Sequence, residues 1–287
     1  MLILALDTTT DLCSVALIRG AEVLAREFDT GAAAPVPGTA RLSNLSRLSN
    51  SQVLLPMIDG LLAEAGVGLA ALDAIAFGAG PGSFTGLRVA CGVAQGLAFG
   101  IDRPLLPVGS LESMALACGE PRVIACLDAR MGEIYFAAFE RAADAAIDPA
   151  TSHATSHATS HATDAPTGRP HCLIEAAVAQ PAAVCLPRGA GWIGCGNGFA
   201  VHADALQMRI EELCRLDASI KPLAGLRPDV RPHAYQVAQL AAIAFAAGEA
   251  IAPDLAAPRY VRNKVALDAT EQAAQRSAVA LALAGVR

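Results

Sequence analysis

Residues 3–17, ILALDTTTDLCSVAL, and residues 124–138, IACLDARMGEIYFAA, decide how the rest of the chain reads. Each is an apolar run ending in an aspartate, then a turn, then a second apolar run, with Asp7 matched to Asp128. A continuous apolar run bounded by turn signals predicts a strand buried on both faces, so each stretch predicts consecutive strands within an α/β unit. Two such units predict an internal duplication, the pattern of two similar lobes facing each other across a cleft; chance similarity of two strand–turn–strand units is the competing reading.

Outward from the first stretch, Arg19-Gly20 turns the chain into a further strand at Glu22-Val23-Leu24. Val53, Leu54, Met57, Ile58, Leu61, Leu62 and Ala65 recur at helical spacing, predicting a helix from about Ser51 to Ala65 that Gly66 ends. Leu72 to Phe77 reads as the next buried strand, and Phe84 to Phe99 as a helix rich in small residues. The expected lobes are residues 1–107 and 108–287, with the last helices free to pack back on the first lobe. Two stretches read as insertions: RLSN at 41–44 repeats at 47–50, and TSHA occurs three times between Thr151 and Ala162. The latter sits in a Pro-, Asp- and Thr-rich segment from about 144 to 170, expected to be a surface excursion.

The 287 residues suffice for two lobes with a sizeable core. Hydrophobic residues make up 54% and charged residues 17%, so most of the chain can collapse. A net charge of −6 offers no general attraction to a polyanion, so a nucleic acid would be met locally or through another subunit. The first residues lack a basic region and reach Asp7 quickly, which reads as neither signal peptide nor anchor, and no later segment is expected to span a membrane. Eight cysteines without a CxxC pair argue against zinc and redox motifs and fit reduced thiols in a cytoplasmic protein.

The sharpest local feature is GAGPGSFTGLR at 78–88, between a buried strand and a helix. Glycines there allow close backbone approach, and free amides at a helix start can hold an anion. The spacing of Gly78, Gly80, Gly82 and Gly86 fits neither GxxxxGK[ST] nor GxGxxG, so a tight structural turn and a ligand loop stay equally open. Asp7 with its threonines, Asp128-Ala129-Arg130 and the loop Gly194–Gly198 would suit a nucleotide if they converged on a cleft; alternatively each Asp caps its own turn. His153, His157 and His161 have metal-ligand spacing only on a helix, and their repeat composition favours no fixed structure. His171, His202 and His233 fall in no nucleophile motif, which leaves a hydrolase without support.

Taken together, LDTTTDLCSVAL (6–17), NSQVLLPMI (50–58), AIAFGAGPGSFTGLRVACGVAQGLAFG (74–100), LPVGSLESMA (106–115), LDARMGEIY (127–135) and PRYVRNKVA (258–266) closely resemble the TsaB (YeaZ) family. The match is dense through residue 136 and thinner beyond. The resemblance implies an actin-like fold of the sugar-kinase and heat-shock ATPase superfamily, with two ribonuclease-H-like lobes. It implies a non-catalytic partner of the catalytic threonylcarbamoyl-transferase subunit (TsaD), acting with a small ATPase (TsaE) in making threonylcarbamoyl-adenosine on tRNAs that read codons starting with A. The tRNA is met only through the complex.

The resemblance also assigns residues. The metal-holding VNHMEGH-like stretch of the catalytic subunit registers on Val108–Met114, where Ser110 and Met114 stand in place of the histidines and supply no suitable ligand. Thr9 and Arg130 replace the glycines of the superfamily's phosphate turns, so no metal, no cofactor and no activity of the isolated chain is expected. Asp7, Thr9, Gly80, Gly82, Ser83, Thr85, Gly86, Arg88, Asp128 and Arg130 are then vestigial nucleotide loops or purely structural ones. The family's paired helices imply an interface carried by Val53, Leu54, Met57, Ile58, Leu61, Leu87, Ala90, Ala94 and Leu97, with a homodimer through the same helices as an option. Asn50-Ser51 stands where the family usually has His-Ser. The alternative readings are an ATP-dependent small-molecule kinase or ATPase of the same fold, which the missing turn glycines oppose, and a metallopeptidase, which the missing histidines oppose.

Overall fold

The computed structural model describes residues 1–20, 22–29, 49–141, 161–162 and 168–261. The first RLSN repeat, the TSHA repeat with His153 and His157, and the end of PRYVRNKVA lie outside the described residues. In the first half, β1 (Leu2–Asp7), β2 (Leu12–Arg19) and β3 (Glu22–Asp29) form an antiparallel ribbon. Next to β1 lies β4 (Ala74–Gly80), parallel to it, followed by β5 (Leu105–Gly109), parallel to β4. The second half repeats the plan. Its ribbon is β6 (Arg122–Arg130), β7 (Glu133–Glu140) and β9 (His171–Ala179), extended beside β6 by the parallel strands β10 (Ile193–Cys195) and β11 (Gly225–Arg227). The strand orders β3-β2-β1-β4-β5 and β9-β7-β6-β10-β11 are the same topology twice, with Asp7 and Asp128 near equivalent strand ends. A two-residue β8, His161–Ala162, adds to the outer edge of β3.

Both faces of β1 are covered, which is why its sequence is continuously apolar. Leu2, Leu4 and Leu6 face α1 (Asn50–Glu64) and α2 (Phe84–Ile101), while Ile3 and Ala5 face α6 (Ala234–Ala246). The α1 start is fixed by Gln52, whose side chain accepts a 2.9 Å bond from the Ser49 N–H, and the α2 start by Ser83, whose hydroxyl accepts from Gly86 N. The sequence led us to expect no segment able to span a membrane, yet α2, at 18 residues, is long and apolar enough to do so. Its buried side packs on the sheet, against β4.

In the second sheet Ile124, Cys126, Ile134 and Phe136 pack against Phe199 of α4 (Gly198–Val201) and Leu206 and Ile210 of α5 (Ala203–Leu216). Its other face meets Leu111, Met114 and Ala115 of α3 (Ser110–Cys118). The two helices that follow the fifth strand of each half are therefore exchanged. α3 leaves the first sheet to cover the second, α6 leaves the second to cover the first, and the two touch each other between the sheets.

The far end of the 144–170 excursion is tied down. Pro170 is buried, and Arg169 donates to Glu112 of α3 at 2.6 Å and to Glu249 beyond α6 at 2.8 Å. A boundary at 170 thus cuts into the folded part, because Glu112 is buried and needs that partner.

Candidate functional site

Two features are candidates for a functional site, the cleft between the aspartate turns and the outer face of α1 and α2. In the first turn the Asp7 Oδ1 accepts from the Thr9 N–H at 2.9 Å and the Thr9 hydroxyl at 2.8 Å. In the second, Asp128 Oδ1 accepts from the Arg130 N–H at 3.1 Å. Both aspartates therefore cap their own turns in the same way. Asp128 is further held by His202 Nε2 at 3.0 Å, and its N–H donates to Asn197 of the Gly194–Gly198 loop at 3.0 Å. Asp7 is completely buried, with Oδ2 unpartnered. Desolvation pushes its carboxyl up from 3.8 to about 6, against the Thr9 hydrogen bonds and the nearby His233 charge, which pull it down.

The glycine-rich loop is pressed onto this turn. A Cβ at Gly86 would stand 1.8 Å from the Thr8 carbonyl oxygen, and one at Gly82 would stand 2.5 Å from that of Thr9. The Ser83 N–H, at the start of α2, donates to the Thr9 carbonyl at 2.7 Å. The Thr8 hydroxyl donates to the Gly86 carbonyl at 2.7 Å. Gly80 lies against the Arg259 carbonyl, which belongs to the chain returning after α6. The Ser83 amide is thus taken by backbone and the Gly86 amide by the Ser83 hydroxyl, and the close approach at Gly82 and Gly86 explains these glycines as parts of a structural turn. What remains open is a cleft of about 310 Å³ lined by Thr9, Thr10, Ser83, Phe84, Asp128, Arg130, Asn197, Arg259 and Tyr260, among others. At its mouth Arg88 stacks on the Phe84 ring, 3.4 Å from its centroid, with Tyr260 beside Phe84, while Thr85 is exposed. Arg130 is 81% exposed, reaches Asp128 Oδ2 at 3.4 Å and lines the cleft beside the turn.

The stretch that registers on the metal-holding histidines offers no imidazole. Ser110 and Met114 are fully buried, the Met114 Cε is packed toward Gly196, and among the described residues no group of three His, Cys, Asp or Glu side chains could hold an ion. The described histidines His161, His171, His202 and His233 lie apart from one another in sequence, and His202 and His233 contact carboxylates, Asp128 and Glu27.

The expected interface residues need correction. Val53, Leu54, Ile58, Leu61, Leu87, Ala90 and Ala94 are 7% exposed or less and belong to the first sheet's own core or the turn beneath it; Met57 and Leu97 are half-buried at its margin. The reason is geometric: i, i+3, i+4 spacing selects the stripe facing the sheet. The outward face is carried by other residues. On α1 these are Gln52, Leu55, Pro56 and Asp59, and on α2 they are Arg88, Gly92, Gly96 and Phe99, with Val89 and Val93 half-buried between. Leu55 is 47% and Phe99 62% exposed, and a Cβ added at Gly92 or Gly96 would meet nothing within 4 Å. Asn50, noticed in the sequence only as a departure, is a joint in this region: its amide donates to the carbonyls of Thr8 at 3.3 Å and Thr10 at 3.1 Å. A larger groove of about 770 Å³ runs along α5 beside Leu226, with Phe199, next to the Gly194–Gly198 loop, in its wall.

The family model described as tRNA N6-adenosine threonylcarbamoyltransferase, TsaD, matches residues 45–270. The Escherichia coli K12 protein named tRNA threonylcarbamoyladenosine biosynthesis protein TsaB is 32% identical over 273 residues, 93% of this chain and 96% of its own length. The Haemophilus influenzae protein of the same name is 44% identical over 143 residues, so that match spans 48% of this chain and about half of the relative, 54%. A solved structure described as YeaZ from Pseudomonas aeruginosa superposes with a TM-score of 0.68 at 32% identity, covering 90% of this chain and 99% of its own. A second Pseudomonas aeruginosa structure, described as an uncharacterized protein with similarity to peptidase YeaZ, gives 0.69 at 33% identity and covers 91% and 99%. The fold, with its duplicated lobes of the actin-like, ribonuclease-H-like kind, and a match over nearly the full length of one relative place the chain in the TsaB (YeaZ) family, a branch of the wider family whose model is that of the threonylcarbamoyltransferase.

Proposed function

We propose that this chain is the non-catalytic partner subunit of a tRNA threonylcarbamoyl-transferase complex, supporting a catalytic subunit of the TsaD kind. The carrying observation is the contrast between its two candidate surfaces. The glycine-rich loop at the start of α2 is pressed onto the chain's own first turn at Gly82 and Gly86, while the outer face of α1 and α2 leaves Leu55 and Phe99 exposed beside the bare glycines Gly92 and Gly96. Small residues on an exposed helix let a second helix approach closely, and a face holding large apolar side chains favours a protein partner over water. The catalytic subunit, itself of the related family, supplies the helices that this face meets. A small ATPase of the TsaE kind joins the complex, tRNA is engaged through the assembly in the cytoplasm, and the free chain pairs with itself through the same face. Titration calorimetry of the purified chain against the catalytic subunit of the same cell tests the reading. Saturable binding in the wild type, lost in folded Gly96→Arg, supports it; no heat of binding with either protein contradicts it.

A further inference from the structure

The duplicated plan has one place that is filled in the first half and open in the second. On the first sheet the edge strand β5 is not left bare, because the chain returning after α6 pairs with it. The Leu105 N–H donates to the Ile251 carbonyl at 2.8 Å, and the Ile251 N–H donates to the Leu105 carbonyl at 2.9 Å. The same segment then fills the corner between β5 and α2. Ala256 is buried in the core that α2 builds with Ala94 and Ala98, and Ile251 packs against that core. Gln95 of α2 donates from Nε2 to the carbonyls of Pro253 at 2.9 Å and Ala256 at 3.1 Å.

In the second half β11 is the counterpart of β5, and α5, in the segment following β10, is the counterpart of α2, which follows β4. Among the described residues no strand pairs with the outer side of β11. The corner between β11 and α5 is the groove of about 770 Å³, walled by Leu206, Ile210 and Cys214 on the helix side and by Leu223, Gly225 and Leu226 on the other. Leu206 and Ile210 are buried at its floor, whereas Leu226 is 48% exposed at its rim. A concave, mainly apolar wall of this kind gains by being covered.

The chain supplies a cover that starts in the right place. Val261, where the described residues end, lines the cleft together with Asn197, and Phe199, two positions after Asn197, lines the groove. From Val261 the sequence continues through residues 262–287. Residues 277–286, SAVALALAGV, carry no charge, and Val279, Leu281 and Leu283 alternate with alanines, so an extended segment turns all three to one side. Residues 262–276 form the tether. Chain of that length reaches up to roughly 50 Å and holds its end at about millimolar effective concentration, so that a modest apolar contact suffices.

We propose that residues 277–286 dock in the groove between α5 and β11, closing the edge of the second sheet as residues 251–256 close that of the first. One continuous stretch of chain then fastens both lobes, passing the cleft at Arg259 and Tyr260.

The test follows Cys214, half-buried in the groove wall, against the exposed Cys185 of the same chain. The full-length chain and its Leu281→Asp/Leu283→Asp variant, whose substitutions lie beyond the described fold, are alkylated with iodoacetamide, and each cysteine is followed in time by mass spectrometry. Docking predicts that Cys214 reacts at least about tenfold faster in the variant while Cys185 is unchanged. Hydrogen–deuterium exchange of the same two chains should show residues 203–216 and 222–227 exchanging faster in the variant. A Cys214 rate and an exchange pattern both unaltered by the variant would overturn the proposal. Protection of the groove that grows with chain concentration would also overturn it, since the occupant would then be a second copy.

Discussion

Asp7 and Asp128 hold the same place in the two halves, and their surroundings have diverged. Asp128 stays at the cleft, braced by His202 and Asn197, whereas Asp7 is sealed beneath the glycine-rich loop. Sealing has a cost that depends on pH. Below about pH 4 the carboxyl is protonated both folded and unfolded and costs nothing; between 3.8 and about 6 only the unfolded state ionises, so stability falls as pH rises and then levels off. The fall attributable to Asp7 is about 3 kcal/mol. Asp7→Asn keeps an oxygen for Thr9 and lacks the titration, so the melting temperature of wild type minus that of the variant should drop between pH 4 and 6.5; a difference flat across that range contradicts it. Gly86 is the harder constraint. Gly86→Ala puts a methyl 1.8 Å from the Thr8 carbonyl, and thermal denaturation should show a loss of about 3 kcal/mol or more, since backbone on both sides must move. An unchanged melting temperature would mean that the loop is not pressed on the turn.

At the scale of elements, β1, β2 and the first part of β6 were legible because strands covered on both faces are written as unbroken apolar runs. The existence of α1 and α2 was equally plain, but which face of each meets a partner was not. In FTGLRVACGVAQGLAFGI nearly every position is apolar or small, so helical spacing finds the sheet-facing stripe of Leu87, Ala90 and Ala94 and is blind to what covers the rest. β9, with its alternation of exposed and half-buried residues, and the three-residue β10 and β11 carry too short or too mixed a pattern to be read. The corrected faces make a paired prediction. Ala90→Arg forces a charge into the core and should unfold the chain or cost several kcal/mol. Gly96→Arg, on the open side, should shift the melting temperature little and abolish binding to the catalytic subunit. If circular dichroism melts show Ala90→Arg stable, or calorimetry shows Gly96→Arg binding as wild type, the assignment of faces is wrong.

For the whole molecule, the sequence duplication anticipated two similar halves, but the exchange of α3 and α6 between them depends on packing between distant segments and leaves no local signal. That exchange joins the lobes: α6 brings Val237, Ala238 and Ala241 onto the first sheet, with its N-terminal Ala234 N–H donating to Ser14 of β2 at 2.9 Å. Arg169 fastens the same joint through Glu112 and Glu249. Because Arg169 is itself 39% exposed, its removal is expected to cost about 1–2 kcal/mol, between the worth of a surface and a buried pair. Arg169→Ala should lower the melting temperature by about 3–6 °C, with Glu112→Gln in the same chain recovering part of the loss; no change would show that the clamp is idle. A joint of this kind suits the proposed role of a subunit that presents its outer helical face to a partner. The most direct measurement of that central claim is the threonylcarbamoyl-adenosine content of bulk tRNA, by nucleoside mass spectrometry, in cells depleted of this chain. The account predicts that the modified nucleoside falls on depletion and returns with the wild-type chain but not with Gly96→Arg; a content unchanged by depletion would contradict it.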